Sequence, residues 1–171
     1  MIKRSEDSLL LGEWACLGII YVEPMHGFAV AAKLKPDSDI GRVWTLSRAL
    51  TYRAIDKLLE RGLIEPVAEE QGIAGGNRTI YRCTRAGRAA FRRWLQTPVA
   101  HVRDLRSELL LKLMLGAESD VDLKPMIYGQ KQIATSQLSQ IKSEIRQSPN
   151  DPVARWRLET TEAALRFLSR L

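Results

Sequence analysis

A chain of 171 residues, 45% hydrophobic and 27% charged, can bury a core and has room for one large folded unit or two small ones. No apolar run reaches the roughly 18 residues of a membrane span, and Met1 to Asp7 followed by Leu9-Leu10-Leu11-Gly12-Glu13 is too short and too acidic for a signal peptide. The expectation is a cytoplasmic chain without a membrane partner, and its net charge of +6 points to an anionic one.

In chain order, Leu9 to Val22 is strongly apolar with only Glu13 charged, and predicts a largely buried first helix that ends at Pro24. Met25 to Leu34 predicts a short second helix with Phe28, Val30, Ala31 and Leu34 turned inward, closed by Pro36 and Asp37-Ser38-Asp39. After a polar connection, the stretch from Val43 to Glu65 reads as one amphipathic helix that stops at Gly62 and runs into a strand. Leu50, Ala54, Ile55, Leu58 and Leu59 recur at steps of three and four and form its apolar face. Ser47 caps its amino end and leaves Arg48, Thr51, Tyr52 and Arg53 presented from the first turns, with Lys57 further along. Two short helices and a longer third give the order of a helix-turn-helix, whose last helix enters a DNA major groove.

Leu63 to Glu69 and Arg78 to Thr84 are extended in character and flank the glycine-rich turn Gln71 to Asn77, a hairpin with Pro66 marking an edge or a break in its first strand. A hairpin in this place is a wing, which reaches DNA backbone or minor groove with a basic residue such as Arg78. Six arginines (Arg78, Arg82, Arg85, Arg88, Arg92, Arg93) and no acid lie between residues 78 and 93. Thr84 can cap a fourth helix whose apolar positions are Ala86, Ala89, Ala90, Phe91, Trp94 and Leu95.

Thr97-Pro98 breaks that helix. Asp104 to Leu115 predicts a short, very apolar helix, and Val121 to Gln147 a longer one. Asp151 and Pro152 are the cap and first residue of a last helix. That helix carries one stripe of Val153, Trp156, Thr160, Ala163, Ala164, Phe167 and Leu171 and a second of Leu158, Thr161, Leu165 and Leu168. Two stripes need two partners, so a second copy of the chain is expected to cover one of them. The candidate dimerisation residues are Leu138, Ile141, Ile145, Trp156, Ala163 and Phe167.

The two cysteines, Cys16 and Cys83, sit in buried-looking segments without metal-ligand neighbours and read as reduced core residues. The two histidines, His26 and His101, are far apart in sequence, and no nucleophile motif or phosphate-cradling loop accompanies them. No enzyme, cofactor or metal is expected. His26, beside Gly27 at a helix start, reads as a structural or DNA-backbone hydrogen-bonding group. Trp14, Trp94 and Trp156 could together line an effector pocket, with core packing as the plainer reading of each.

These residues resemble the PadR family of bacterial transcriptional regulators over about residues 9–95. Pro24-Met25-His26-Gly27-Phe28 is similar to the family's Pro-Leu-His-Gly-Tyr, and Ser47 to Leu58 to its Ser-Pro-Gly-Thr-Leu-Tyr-Pro-Ala-Leu, with Ser47, Tyr52 and Ala54 in place. Gly62-Leu63-Ile64-Glu65 and Tyr81-Arg82-Cys83-Thr84-Arg85-Ala86-Gly87-Arg88 resemble its Gly-Leu-Ile and Tyr-Arg-Leu-Thr-x-x-Gly segments. His101 to Arg106 resembles the start of the longer helical carboxy-terminal domain of one branch. The resemblance implies a winged helix-turn-helix homodimer on palindromic double-stranded DNA, most often a repressor, sometimes released by a small-molecule effector. The family's Pro-Gly-Thr-Leu is Arg48-Ala49-Leu50-Thr51 here, so no operator sequence carries over.

The expected fold is therefore mainly α with a small β-hairpin: a winged helix-turn-helix DNA-binding domain over residues 1–97, then an α-helical dimerisation domain over residues 98–171. The expected DNA-binding residues are His26, Ser47, Arg48, Thr51, Tyr52, Arg53, Lys57, Asn77 and Arg78. The competing reading is a winged-helix interaction module whose basic face meets an acidic protein.

Overall fold

The computed structural model describes residues 9–71 and 77–171, so the charged amino terminus and Gly72, Gly75 and Gly76 of the expected hairpin tip lie outside the described residues. Helix α1 (Leu11–Val22) is the hub, because it is apolar on nearly every side: Ala15, Cys16, Leu17, Ile19 and Ile20 are all buried. The Glu13 carboxylate accepts the Leu10 N–H at 2.8 Å and satisfies one donor at the helix start. Cys16 and Cys83 are free and buried, and loss of water pushes each thiol up to about 12. Both are inert packing residues at neutral pH.

The second segment departs from expectation. Met25–His26 form a strand, β1, and only Gly27–Lys33 are helical as α2. β1 pairs antiparallel with a later strand through Met25↔Tyr81 and His26↔Ile80, so the hairpin is part of a three-stranded sheet. A two-residue strand has no periodicity of its own. It exists because its partner lies more than fifty residues away.

Helix α3 (Arg48–Glu60) is shorter than the stretch from Val43 to Glu65, since a turn and a bend run to Trp44 and residues 45–47 are not helical. It closes with the Leu63 N–H on Leu58 O and the Gly62 N–H on Leu59 O, both at 2.9 Å. This paired closure requires a left-handed residue, and Gly62 supplies it at φ 63°. Strands β2 (Ile64–Gln71) and β3 (Asn77–Cys83) form the wing, with sheet order β1-β3-β2. The pairing register shifts between Pro66 and Ala68, where proline cannot donate to the ladder.

Helix α4 (Arg85–Gln96) starts at Thr84, whose hydroxyl oxygen accepts the Gly87 N–H at 3.1 Å and whose hydroxyl donates to Gly62 O at 2.7 Å. One threonine thus caps α4 and fastens it to the end of α3. Phe91, Trp94 and Leu95 are buried on α1, whereas Ala86 and Ala89 are exposed rather than part of an inner face.

Beyond Pro98 the chain forms a short 3-10 turn (Val102–Asp104), a π-helical turn (Leu105–Leu109) and then α5 (Leu110–Ala117) as one continuous helical run. Leu111 and Leu115 of α5 join the core of α1, Leu58 and Phe91. A second core gathers Val99, Leu105, Leu109, Met126, Ala134 and Leu168 under α6 (Lys124–Gln147) and α7 (Pro152–Leu168). The Asp151 carboxylate caps α7 by accepting the Val153 N–H at 2.9 Å. Gln130, 2% exposed, holds the connection before α5 by accepting the Val99 N–H at 2.7 Å and donating to Val99 O at 3.0 Å.

Two polar nodes join the cores. Tyr21 donates to Asp120 Oδ1 at 2.5 Å and accepts from Arg92 Nε at 2.7 Å, while Arg92 also pairs with Asp120. Lys112 is wholly buried, donating to Thr97 O at 2.6 Å and pairing with Glu108 at 2.8 Å beside the Trp94 ring. Burial holds the Lys112 ammonium below its usual range, against the pull of Glu108. Among the described residues, no helix is long and apolar enough to cross a membrane.

Candidate nucleic-acid interface

The exposed end of α3 faces outward together with the start of α2 and the first residues of β3. Ser47 caps α3, its Oγ accepting the Leu50 N–H at 3.3 Å. Tyr52, 37% exposed, lies over Gly27, where an added Cβ would sit 2.8 Å from the ring. Gly27 is thus needed for close approach, and the glycine after His26 makes room for the tyrosine of the next helix.

Phe28 was expected inside but is 44% exposed, and it organises the site. The Arg48 guanidinium lies 5.3 Å from its centroid and that of Arg78 5.4 Å, while Arg48 is also 5.8 Å from the Tyr52 ring. Arg48 comes from α3 and Arg78 from the wing. The phenyl face therefore gathers two cations from different elements, at about 0.5–1 kcal/mol per exposed cation–ring contact. His26 is the cap of α2, its Nδ1 accepting the Ala29 N–H at 3.1 Å, which fixes its structural role. Sequence reasoning missed Phe28 because its spacing alone suits a core position; the cue was a large aromatic at the first turn of a helix only seven residues long.

The other expected residues divide. Arg53 and Lys57 are exposed on α3, Lys57 paired with Glu60 at 2.6 Å. Asn77 is exposed and its Nδ2 donates to Glu69 Oε2 at 2.9 Å across the hairpin. Thr51 is a correction: it is 0% exposed and its hydroxyl donates to Ser47 O at 3.0 Å, so it cannot meet a base. Leu50, expected in the apolar face, is 46% exposed in its place.

The arginine cluster also divides. Arg82 pairs with Glu65 at 2.6 Å, Arg88 lies 4.2 Å over the Tyr21 ring, and Arg92 joins the Tyr21–Asp120 node. Those three serve the fold, and Arg78 alone of the six stands on the Phe28 ring. The wing is mixed in sign, since Glu69 and Glu70 face Thr79 and Arg78 in the ladder.

The carboxy-terminal helices present a different surface. On α7 the stripe of Thr161 and Leu168 is buried, whereas Val153 is 63%, Trp156 71% and Phe167 40% exposed. Trp156, Ala163 and Phe167 line a groove of about 970 Å³ with Leu105, Leu109 and Ile141. Of the expected dimerisation residues, Ile141 is 1% exposed and packs within its own chain, and Leu138 and Ile145 are half-buried. Trp14, Trp94 and Trp156 do not share a pocket. Trp14 and Trp94 stack at 5.0 Å and 7° near Lys112, while Trp156 belongs to the groove on α7.

Several solved structures resemble the chain over nearly its whole length. Bacillus subtilis PadR in complex with operator DNA is 18% identical, with 92% of this chain and 96% of that one covered at a TM-score of 0.48. The same protein in complex with p-coumaric acid is 17% identical, covering 94% and 96% at 0.47. The PadR-like transcriptional regulator BC1756 from Bacillus cereus is 19% identical, covering 97% and 96% at 0.44. No curated protein matches. Residues 16–93, which take in the later part of α1, α2, the capped α3, the wing and most of α4, match the family described as the transcriptional regulator PadR-like family, whose members are transcription regulators and not enzymes. The match to the PadR-like transcriptional regulator family thus falls on residues 16–93 of a mostly helical, winged-helix fold.

Proposed function

We propose that the chain is a sequence-specific DNA-binding regulator that acts as a homodimeric repressor on a palindromic operator. The observation that carries this reading is the Phe28-centred cluster, which gathers Arg48 of α3 and Arg78 of the wing on one face. In the proposed complex α3 enters the major groove, with Arg53 toward a base edge and Arg48, Ser47, Tyr52 and Lys57 toward phosphates. Arg78 and Asn77 follow the flanking backbone from the wing. His26 keeps its Nδ1 on α2 and contributes through Nε2 at most.

The apolar stripe of Trp156, Ala163 and Phe167 supports dimerisation through the carboxy-terminal helices, because so exposed a row of large side chains on a soluble helix favours a covering partner. Two copies would set two α3 helices about 34 Å apart, one turn of DNA. A small-molecule effector acting between the carboxy-terminal helices and the winged helix belongs to the same reading. The division is residues 1–97 for DNA and 98–171 for pairing.

A salt titration of binding to duplexes selected from a randomised pool tests the reading. Log affinity should fall linearly with log salt at about 0.9 per phosphate contact, with a preference of at least about a thousandfold over random duplex. Weak binding without sequence preference would favour an acidic protein partner for the same face.

A further inference from the structure

We infer that Leu50 is a specificity-determining residue of the DNA face and that it reads the C5-methyl group of a thymine in the major groove. This rests on the DNA-binding reading above. Leu50 and Thr51 are neighbours in the first turn of α3, and burial sorts them against their chemistry: the threonine is 0% exposed and the leucine 46%. The buried hydroxyl is satisfied by Ser47 O at 3.0 Å, so the fold has accommodated a polar group inside while an apolar one stands in water. Solvation alone favours the opposite order by the transfer of a leucine side chain. An exposed leucine by itself is ordinary. An inverted pair at the base-reading end of a candidate recognition helix is a local rule broken where function would break it.

Leu50, Arg53 and Lys57 stand at i, i+3 and i+7 and form one exposed stripe of α3. The exposed rings at this end, Phe28 and Tyr52, already carry the Arg48 guanidinium. Leu50 adds an apolar contact beside the cation of Arg53. In the major groove thymine is distinguished by its methyl group, which takes apolar contacts, and guanine by arginine. Residues one turn apart are about 5–6 Å apart at Cβ, and successive base pairs rise about 3.4 Å. The stripe therefore specifies a thymine one or two base pairs from the guanine that Arg53 would read.

The test uses the whole chain and a duplex it selects from a randomised pool, then replaces each thymine singly by uracil, which removes only the methyl group. Fluorescence anisotropy at fixed salt should show a loss of about fourfold at one thymine per half-site, the worth of one buried methyl group. Leu50→Ala should abolish that loss while keeping the salt slope and the melting temperature, and Leu50→Met should retain it. A flat uracil scan with the natural chain, or an unchanged sensitive position in Leu50→Ala, overturns the assignment of Leu50 alone. Failure to enrich any duplex overturns the DNA reading and this inference with it.

Discussion

The exposed faces of α3 and α7 carry opposite chemistry. On α3, Arg48, Tyr52, Arg53 and Lys57 face water, and the buried side is closed by Ala54, Ile55 and Leu58. On α7, Val153, Trp156 and Phe167 face water although Leu168 and Thr161 already satisfy a partner helix within the chain. A charged face is solvated as it stands and awaits an anion, while an apolar one is incomplete until covered. The difference separates a face that is complete as it stands from one that leaves large apolar side chains in water, and the core beneath α3 is itself closed with Leu111 and Leu115 of α5.

The largest effect that sharpens this contrast is in the core beneath α3. Phe91 is wholly buried between α1 and α4, touching Tyr21 at 4.7 Å and Trp94 at 5.9 Å between centroids. Phe91→Ala should cost about 3–5 kcal/mol of folding stability in urea titration. A loss near zero would mean that the core of α1 is not closed within one chain. Next, Trp156→Ala should leave protomer stability nearly unchanged, because the ring is 71% exposed, yet weaken self-association by about 2–4 kcal/mol in sedimentation equilibrium. Equal association constants would remove α7 from the interface. Arg53→Ala should then cost about 1–3 kcal/mol of operator binding and loosen one base pair, with no change in association. Unchanged affinity and preference would return Arg53 to the solvated surface.

What was legible in the sequence was the chemistry a residue does with its near neighbours. Ser47, Thr84 and Asp151 each cap the helix expected of them, and Gly62 closes α3 through a left-handed turn. What was not legible depends on distant partners. Strand β1 exists only through Tyr81 and Ile80. The arginines from 78 to 93 looked like one basic patch until Glu65, Tyr21 and Asp120 claimed Arg82, Arg88 and Arg92. Leu50 and Thr51 show a third limit. Steps of three and four are met by either neighbour, and α3 took the register that buries Thr51 with Ala54, Ile55 and Leu58. For the site itself, Arg48 and Arg78 were legible by charge, but Phe28, the ring that brings them together, was not.

The smallest expected effect lies on the seam between the two regions. Asp120 accepts the Tyr21 hydroxyl and pairs with Arg92, and these hold its carboxyl below the usual carboxylate range, the Tyr21 hydrogen bond foremost. The Tyr21 hydroxyl is pushed up in turn, first by burial and then by its bond to Asp120. A carboxylate whose folded value is lowered binds its proton more readily when the chain is unfolded. Its stabilisation is complete above the ordinary carboxylate value of about 4, and it fades as pH falls from there through the lowered one. Asp120→Asn keeps an acceptor for Tyr21 but has no charge for Arg92, so its urea midpoint should lie slightly below that of the natural chain at pH 7. The two midpoints should converge as the pH is taken down to about 3. A gap that stayed constant across that range would show that the Asp120 charge does not tie α4 to the carboxy-terminal helices. The seam would then rest on the wholly buried Lys112 and its bonds to Thr97 and Glu108.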